Sequence, residues 1–409
     1  MAADVLVSQG IRVTVVERRP APAWKLFVAG SSGLNITNNL PVAVFAQHYT
    51  PKQLPWHSWL ERFSPLAWIR FIEGLGEETF LGTSGRYFVS TMNSARLVRA
   101  WRRRLTASGV QWVFGHELSG IARSPDNPNR WRIETRRIRV NDVEADAEPV
   151  VGDGPSELQC DGIVLALGGG SWEKTGPDPS WPELLSRLGL RTIPFAPANV
   201  GYQLQWKPQF LKECEGKPLK NVSLRTKRGE RRGEVVVTSY GIEGTPVYFT
   251  GTRGLASVDL KPDLAREQLT DRIETVQKKH RLSPLRAVKK SRLLDEVALS
   301  LIFHHAPPES LLDATSLSEV IKSFPVELKD PQPLSEAISS CGGLAVDEID
   351  ENLMVRRMPR VHAIGEMLDW DAPTGGFLIQ ACVTQGFVAG HALAAELNAG
   401  HADARTSRD

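Results

Sequence analysis

The hydrophobic pattern at the start of the chain predicts a short helix followed by a strand. Residues Met1–Gln9 place three apolar side chains on one side of a helix, and Gly10 stands where a left-handed residue ends a helix. The β-branched run Ile11–Glu17 is almost continuously apolar, which is typical of a parallel strand buried on both faces. The run ends in a carboxylate, so the pattern predicts helix, glycine, buried strand and acid in that order.

A second apolar run ends in glycines. Residues Cys160–Leu167 predict another buried strand, and Gly168, Gly169 and Gly170 follow it directly. A helix is predicted over Trp181–Gly189. The order of buried strand, glycines and helix is expected for a parallel sheet with crossover helices.

A third strand and a long helix are predicted near the C-terminus. Val361–Glu366 predicts a buried strand, and Gly375 and Gly376 open a helix over Phe377–Leu397. The first amides of a helix lack partners and carry partial positive charge, and glycines let a flat or anionic ligand approach them. The same order is also an ordinary connection in any α/β domain, so alone it is not specific.

The pattern between these strands differs. Residues 199–260 alternate like antiparallel strands, with a hairpin turn near Gly229–Glu230, and residues 263–340 read as helical with breaks at prolines. We therefore predict an α/β protein with two domains. Residues 1–195 and 341–409 form a discontinuous Rossmann-like domain, and residues 196–340 form an inserted domain that is β-barrel-like plus helical.

Further elements are predicted in the first half of the chain. One amphipathic helix is expected from Trp56 to Leu75, and a helix capped by Ser94 is expected to run through Leu105. Strands are expected over about 110–121 and 130–140. The loop Lys25–Asn39 contains two glycines between apolar flanks, which indicates backbone brought close to a ligand or an ordinary turn.

Composition narrows the class of protein. Hydrophobic residues make up 41% and charged residues 23% of the 409 residues, which are ordinary globular values. No apolar run approaches the roughly 20 residues of a spanning helix, so the sequence predicts a soluble protein without a membrane partner. The four cysteines form no C-x-x-C pair and the nine histidines form no ligand-spaced set, so no metal site is predicted and a reducing cytosol is the default.

Basic residues cluster although the formal net charge is only +2. The clusters comprise Arg99, Arg102, Arg103 and Arg104, then Arg225, Lys227, Arg228, Arg231 and Arg232, and finally Lys278, Lys279, Arg281, Lys289, Lys290 and Arg292. A nucleic-acid face is one interpretation. No aromatic residues suited to base stacking are interleaved with them, so we favour solvated faces.

The opening helix, glycine, strand and acid match the second half of a Rossmann unit. In that unit an acid at the end of the second strand binds a ribose hydroxyl, which makes Glu17 a candidate; the alternative is a solvated carboxylate. The unit also needs an earlier strand and a G-x-G-x-x-G turn that holds the pyrophosphate. That fingerprint occurs nowhere in the sequence.

Six motifs taken together resemble the BaiN/YhiN-like family of FAD-dependent oxidoreductases, in particular its branch with an AGEMLDWxAPTGGY-like signature. They span nearly the whole chain in the family's order. The motifs are AGSSGLNIT (Ala29–Thr37), SGR (Ser84–Arg86), LALGGGSW (Leu165–Trp172), GIEG (Gly241–Gly244), AISSCGGL (Ala337–Leu344) and IGEMLDWDAPTGGF (Ile364–Phe377). The resemblance implies a two-dinucleotide-binding flavoprotein fold, in which an inserted domain covers the flavin.

The resemblance also implies the FAD-binding residues. Glu17 would hold the adenosine ribose, Gly168 would contact the adenosine-side phosphate region, and Glu366 would sit beside the ribityl chain or pyrophosphate. Gly30, Gly33 and Asn35 would line the ribityl and isoalloxazine side. Lys25 is a further predicted cofactor-binding residue. Gly375, Gly376 and Phe377 would bring the helix dipole to the N1 and C2 carbonyl edge of the flavin. No catalytic residue is implied.

The sequence departs from the family pattern in three places. The glycine fingerprint is absent, Ala23-Trp24-Lys25 stands where relatives commonly show Gly-Arg-Lys, and Ser31-Ser32 partly replaces a glycine run. Because a missing central strand would cost more than the roughly 5–15 kcal/mol of a typical domain, we expect the sequence to begin at an internal methionine of a longer protein. An in-frame stop codon directly before Met1 would contradict this expectation.

The sequence thus predicts an FAD-dependent oxidoreductase that transfers a hydride between NAD(P)H or another donor and a small-molecule acceptor. The alternative is a cofactor-free binding or scaffold protein derived from a flavoenzyme. A third interpretation, a flavin-dependent RNA-modifying enzyme, rests on the basic clusters alone. The oligomeric state stays open.

Overall fold

The computed structural model describes residues 1–29, 34–138, 154–171 and 180–406. The chain begins with α1 (Ala2–Ser8), β1 (Thr14–Glu17), α2 (Trp24–Ala29), β2 (Asn35–Asn38), α3 (Val42–Ala46), α4 (Trp56–Arg62), α5 (Pro65–Gly74), β3 (Thr79–Leu81), β4 (Arg86–Val89), α6 (Ser94–Ala107), β5 (Gln111–Phe114), β6 (His116–Arg123), β7 (Trp131–Arg137), β8 (Glu157–Cys160), β9 (Ile163–Leu165) and α7 (Trp181–Arg187). It continues with β10 (Thr192–Ala198), β11 (Tyr202–Gln203), α8 (Pro208–Cys214), β12 (Pro218–Thr226), β13 (Gly229–Thr238), β14 (Gly241–Glu243), α9 (Thr245–Thr250), β15 (Gly254–Asp259), α10 (Arg266–His280), α11 (Pro284–Ser291), α12 (Glu296–His305), α13 (Ala314–Lys322) and β16 (Phe324–Leu328). It ends with β17 (Ser339–Leu344), β18 (Val361–Ala363) and α14 (Phe377–Thr406).

The chain divides into two compact units. Unit 1 contains residues 1–196 and 339–409, and unit 2 contains residues 197–338. Each unit has its own sheets and its own buried apolar core.

Parallel strand pairs form the centre of unit 1. β1 pairs with β5, and β9 pairs with β18, both in parallel. The prediction that the first strand is buried on both faces is wrong, because Thr14 is exposed and the rest of β1 is only partly buried. The reason is that β5 is the only strand that hydrogen-bonds to β1 within the described residues. Val13, which directly precedes β1, and Val164, in the middle of β9, pack on one cluster around Leu393.

Helix α1 packs closely on α14 through glycines. A Cβ atom on Gly386 would lie 3.1 Å from Met1 Cβ, and one on Gly390 would lie 2.9 Å from Val5 Cβ. Because glycine has no side chain at these two positions, the backbones of α1 and α14 can approach each other closely. The predicted left-handed Gly10 is present, with φ +75°.

The long helix α14 corrects the expectation that no segment is long and apolar enough to span a membrane. Within the described residues, Phe377–Gly400 meets that test by length and composition. Of its most apolar window, 67% is buried inside the protein, and the core helix of a globular protein passes the same test.

The single helix predicted from Trp56 to Leu75 is two helices, α4 and α5. The break falls at Ser64, whose extended backbone precedes Pro65 and whose hydroxyl accepts a hydrogen bond from Ala67 N at 3.2 Å. A residue before proline avoids the helical region, and serine is a preferred N-cap. The other predicted cap is also shifted, since Asn93 rather than Ser94 caps α6 by accepting from Arg96 N.

We expect Ser64→Ala to lower the free energy of unfolding by about 1 kcal/mol, because Ala67 N loses its acceptor at the start of α5. Ser64→Asp, which restores an acceptor, should recover most of that loss. Urea denaturation of the three proteins measures both changes, and equal stability of Ser64→Ala and the wild type would contradict the assignment of the cap.

Unit 2 is built on one antiparallel sheet, ordered β11, β14, β13, β12, β15 and β16. Gln203 N donates to Asp330 O at 3.0 Å and Lys329 N donates to Gln203 O at 2.9 Å, so the two outer strands are joined and the sheet closes. Residues 263–340 are not entirely helical, because β16 buries Phe324, Val326 and Leu328 with strand periodicity.

Candidate functional site

The glycine turn before α14 lies against strand β2. Gly375 and Gly376 have φ +120° and +90°, in the left-handed half of the backbone map. A Cβ atom on Gly376 would lie 2.5 Å from the Cα and carbonyl carbon of Thr37, so no side chain fits there. The start of α14 is therefore held directly on the backbone of β2, and its first turn contains no acidic residue.

Phe377 anchors the same helix start from the other side. It is buried, and its ring lies 4.6 Å from that of Phe45 and 4.5 Å from that of His48. Tyr49 Oη donates to the carbonyl oxygen of Phe377 at 2.8 Å. The ring of Phe377 is thus part of an aromatic core. Phe377 therefore contributes its backbone, and not its ring, to the start of α14.

Lys25, Ser171 and Glu366 meet although they are far apart in sequence. Lys25 Nζ lies 2.7 Å from Glu366 Oε2 and 2.9 Å from Ser171 Oγ. The side chains of Lys25 and Glu366 are 27% and 15% exposed, and Ser171 is fully buried. This is a charged pair that is largely shielded from solvent, and a third polar group hydrogen-bonds to the lysine.

The glycine run after β9 packs tightly in the same place. A Cβ atom on Gly169 would lie 2.4 Å from Ser340 Oγ and 3.3 Å from Glu366 Cβ. Ser340 Oγ in turn accepts from Gly170 N at 2.8 Å. Gly168 has φ +79°, and its carbonyl oxygen accepts from Trp181 Nε1 at 3.2 Å. Glycines are thus required where this loop turns toward Glu366.

These groups all lie at the carboxyl ends of a parallel pair of strands. β9 and β18 are in register from Val361 opposite Ile163 to Ala363 opposite Leu165, and Ile364 N continues the ladder to Leu165 O. Because both strands end together, the loops that follow them meet. Open α/β sheets bind their ligands at this edge.

Glu17 stands apart from this group, at the end of β1. Its Oε1 accepts a hydrogen bond from Arg19 N at 2.8 Å. Burial raises the pKa of this carboxyl group, and the hydrogen bond to Arg19 and the nearby arginine charges oppose that increase. The structure therefore shows a shielded carboxylate in a basic surrounding, and no contact links it to Lys25 or Glu366.

Two amide side chains carry buried atoms without hydrogen-bond partners among the described residues. Asn35 Oδ1, at the first residue of β2, is an acceptor of this kind, and Gln385 Nε2 on α14 is a donor. Of the other predicted site residues, Gly30 and Gly33 lie outside the described residues. In the described part of the chain no cluster of His, Cys, Asp and Glu could hold a metal ion.

The sequence prediction missed several polar residues of this site. Ser171 and Ser340 lie within the LALGGGSW and AISSCGGL motifs, so the motifs themselves could have indicated them. Gln385 lies in the long helix beyond any motif. Gln385 could have been noticed as a polar residue on a helix face whose other residues are small and apolar.

Cys382 lies on α14 beside the Lys25 and Glu366 pair. Burial, and then the negative charge of Glu366, raise the pKa of its thiol to about 12. A raised pKa keeps the thiol neutral, so its thiolate fraction at pH 8 is about 10⁻⁴, against about 10⁻¹ for an unfolded cysteine.

We therefore expect Cys382 in the folded protein to be alkylated by iodoacetamide about 1000-fold more slowly than in urea at pH 8. The rate should rise roughly tenfold per pH unit until pH approaches about 12. Peptide mapping by mass spectrometry measures the labelling. Equal rates in the folded and unfolded chains would contradict the described environment of the thiol.

Comparison with known proteins finds similarity to curated proteins and to solved structures. The 3-dehydro-bile acid delta(4,6)-reductase of Clostridium scindens is 25% identical over 280 residues, which are 63% of this chain and 68% of that protein. The 3-ketosteroid-delta4-(5alpha)-dehydrogenase of Rhodococcus jostii RHA1 is 12% identical at a TM-score of 0.48, covering 96% of this chain and 94% of that one. A quinol fumarate reductase of E. coli is 11% identical at a TM-score of 0.44, covering 96% and 67%.

The match to a protein family spans nearly the whole chain. Residues 1–392 match the family described as HI0933-like protein Rossmann domain. This confirms the predicted fold class, a Rossmann-type α/β domain, and the resemblance drawn from the six motifs. The chain belongs to the HI0933-like family of Rossmann-domain proteins.

Proposed function

We propose that the protein is an FAD-dependent oxidoreductase that moves a hydride between NADPH or NADH and a small-molecule acceptor. The observation that carries the proposal is the meeting of Lys25, Ser171 and Glu366 with a close-packed glycine run at the carboxyl ends of β9 and β18. Membership of the HI0933-like family and the 25% sequence identity to a reductase support the proposal.

The residues at the start of α14 fit the flavin ring. Gly375 and Gly376 present backbone without side chains, and no acidic residue in the first turn offsets the positive end of the helix. Asn35 Oδ1 is a buried acceptor with no partner among the described residues. Such a wall suits a ring system that carries N–H donors and gathers negative charge on reduction.

Fewer residues fit the phosphate end of FAD than the flavin end. The printed sequence contains no G-x-G-x-x-G turn, the motif that usually places a helix terminus against a pyrophosphate. Glu17 is the candidate for the adenosine ribose, and Gly168 and Glu366 are the candidates nearest the phosphates. The proposal therefore rests on the group of Lys25, Ser171 and Glu366 and on the start of α14, and not on a pyrophosphate-binding turn.

When bound, FAD would supply the hydride chemistry itself. The protein's part is to bind and orient. The positive end of α14 stabilises negative charge next to it, and Lys25 fixes the carboxylate of Glu366 so that its second oxygen can accept a hydroxyl hydrogen. Ser171 and Ser340 hold the glycine loop close to this carboxylate.

For the acceptor we propose an unsaturated ketone. The name of the Clostridium scindens relative describes reduction of a carbon–carbon double bond in a keto bile acid. At 25% identity the reaction class is the part that we carry over, and the steroid is not.

The test begins with cofactor binding. FAD is titrated into the purified chain, and quenching of flavin fluorescence is followed together with the rise in melting temperature that a ligand of the folded state must cause. The loaded protein is then mixed with NADPH or NADH without oxygen, and bleaching of the flavin absorption reports electron transfer. Reoxidation by a panel of unsaturated and saturated ketones identifies the acceptor class.

Each step contradicts a different part of the proposal. A chain that does not bind FAD supports the scaffold alternative and ends the oxidoreductase proposal. Binding without bleaching by either nicotinamide overturns the proposed donor. Reoxidation by saturated ketones alone overturns the proposed acceptor class.

A further inference from the structure

Gln385 has an unusual environment on the third turn of α14. It is fully buried, and its Oε1 accepts a hydrogen bond from Gly365 N at 2.7 Å. Its Nε2 has no hydrogen-bond partner in the described ranges of the chain. Because the backbone amide of Gly365 can only donate, this contact fixes which end of the side-chain amide faces it.

Gln380, five residues earlier on α14, is the appropriate comparison. It is equally buried, but its Oε1 accepts from Thr37 and its Nε2 donates to Phe63 O and to Thr384. Gln380 therefore has the full set of bonds of a structural glutamine. A buried amide donor without a partner lowers stability, so its presence at position 385 calls for a partner beyond the described protein groups.

The location of Gln385 indicates what that partner is. Gly365 directly follows the last ladder bond of β18 and directly precedes Glu366, so the amide lies at the edge where open α/β sheets bind ligands. Among the residues that the structure describes, a Cβ atom on Gly365 would meet only Cys382 Sγ, at 3.8 Å. Little side-chain bulk therefore crowds this side of the turn.

Helix geometry gives the position along the cofactor. Gln385 is eight residues beyond Phe377, which corresponds to about 12 Å along α14 at 1.5 Å per residue. If the flavin ring lies at the helix start, as under the proposed function, Gln385 lies alongside the part of FAD that links the ring to the adenosine. That part offers ribityl hydroxyl and phosphate oxygens, which are acceptors for an amide N–H.

We propose that Gln385 Nε2 donates a hydrogen bond to an oxygen of the ribityl–phosphate segment of FAD. This inference rests on the proposed function. It assigns to the site a neutral donor that none of the six sequence motifs contains, next to the charged pair of Lys25 and Glu366.

Two variants distinguish the role of the Nε2 donor of Gln385 from the role of its hydrogen bond with Gly365 N. Gln385→Met removes both, whereas Gln385→Glu keeps an acceptor for Gly365 N and replaces the donor by a second acceptor. Loss of one such hydrogen bond corresponds to about tenfold in affinity. We expect both variants to bind FAD and FMN at least tenfold more weakly, and to bind AMP as the wild type does.

Gln380→Met is the matched control. It breaks bonds made within the protein, so it should lower the melting temperature of the cofactor-free chain more than Gln385→Met does, and change FAD affinity less. Fluorescence titration and thermal melts in the absence of cofactor measure both quantities.

The outcomes distinguish this inference from the proposed function. A wild-type chain that fails to bind FAD ends both. If the wild type binds but Gln385→Glu binds FAD as tightly, the amide only braces Gly365 and the inference is wrong. Equal weakening of AMP binding would likewise overturn the assignment to the ribityl–phosphate segment.

Discussion

Gly376→Ala is expected to destabilise unit 1 by about 3–5 kcal/mol, because two costs combine at this position. An L-residue at φ +90° is strained by roughly 1–2 kcal/mol. The new methyl group would also lie 2.5 Å from backbone atoms of Thr37. Backbone cannot rotate away as a side-chain tip can, so α14 and β2 must separate.

Gly76→Ala provides the control for backbone strain alone. Gly76 has a similar φ of +83°, but a Cβ atom there meets nothing within 4 Å. We expect a loss of only about 1–2 kcal/mol from it. Urea denaturation followed by tryptophan fluorescence gives both values, and amide exchange shows whether β2 is the part that opens in Gly376→Ala. A loss no greater than that of the control would mean that the helix start does not rest on β2.

The sequence predicted the elements with strong local patterns. Helix α1, the left-handed Gly10 and the strand at β18 followed from periodicity and glycine placement, and each is present. The α/β class followed in the same way, since apolar runs that end in glycine are typical of parallel strands.

Predictions that depended on contacts with other parts of the chain were less accurate. The burial of β1 is set by how many strands flank it, which its own residues do not encode, and only β5 pairs with it in the described chain. The break at Ser64 shows a local signal, the serine before proline, that outweighs a continuous apolar face. The strand β16 was hidden because its period-two pattern is only five residues long.

The residues of the candidate site also divide into those that have a local sequence signal and those that do not. The glycines before α14 were found from sequence because a helix start without side chains is a local feature. The contact of Lys25 with Glu366 spans 341 positions, and the bond between Gln385 and Gly365 depends on how α14 lies over β18. Such pairs arise only from tertiary packing.

Lys25→Met is expected to lower the free energy of unfolding by about 2–4 kcal/mol, because it leaves the carboxylate of Glu366 shielded from solvent without its cation. Lys25→Met combined with Glu366→Gln should recover part of this loss, since the second change removes the unpaired charge. The resulting coupling energy should be about 1–3 kcal/mol.

The exposed pair Arg187 and Glu183 serves as the control for this cycle. Their side chains are 72% and 70% exposed, and they lie 2.9 Å apart on α7. Solvent screening limits such a pair to about 0–0.5 kcal/mol, and added salt should remove even that. The coupling between Lys25 and Glu366 should persist in high salt because it is shielded. If both cycles gave the same small, salt-sensitive coupling, Glu366 would be a solvated residue, and the site would lose the fixed carboxylate on which its proposed contact with the cofactor depends.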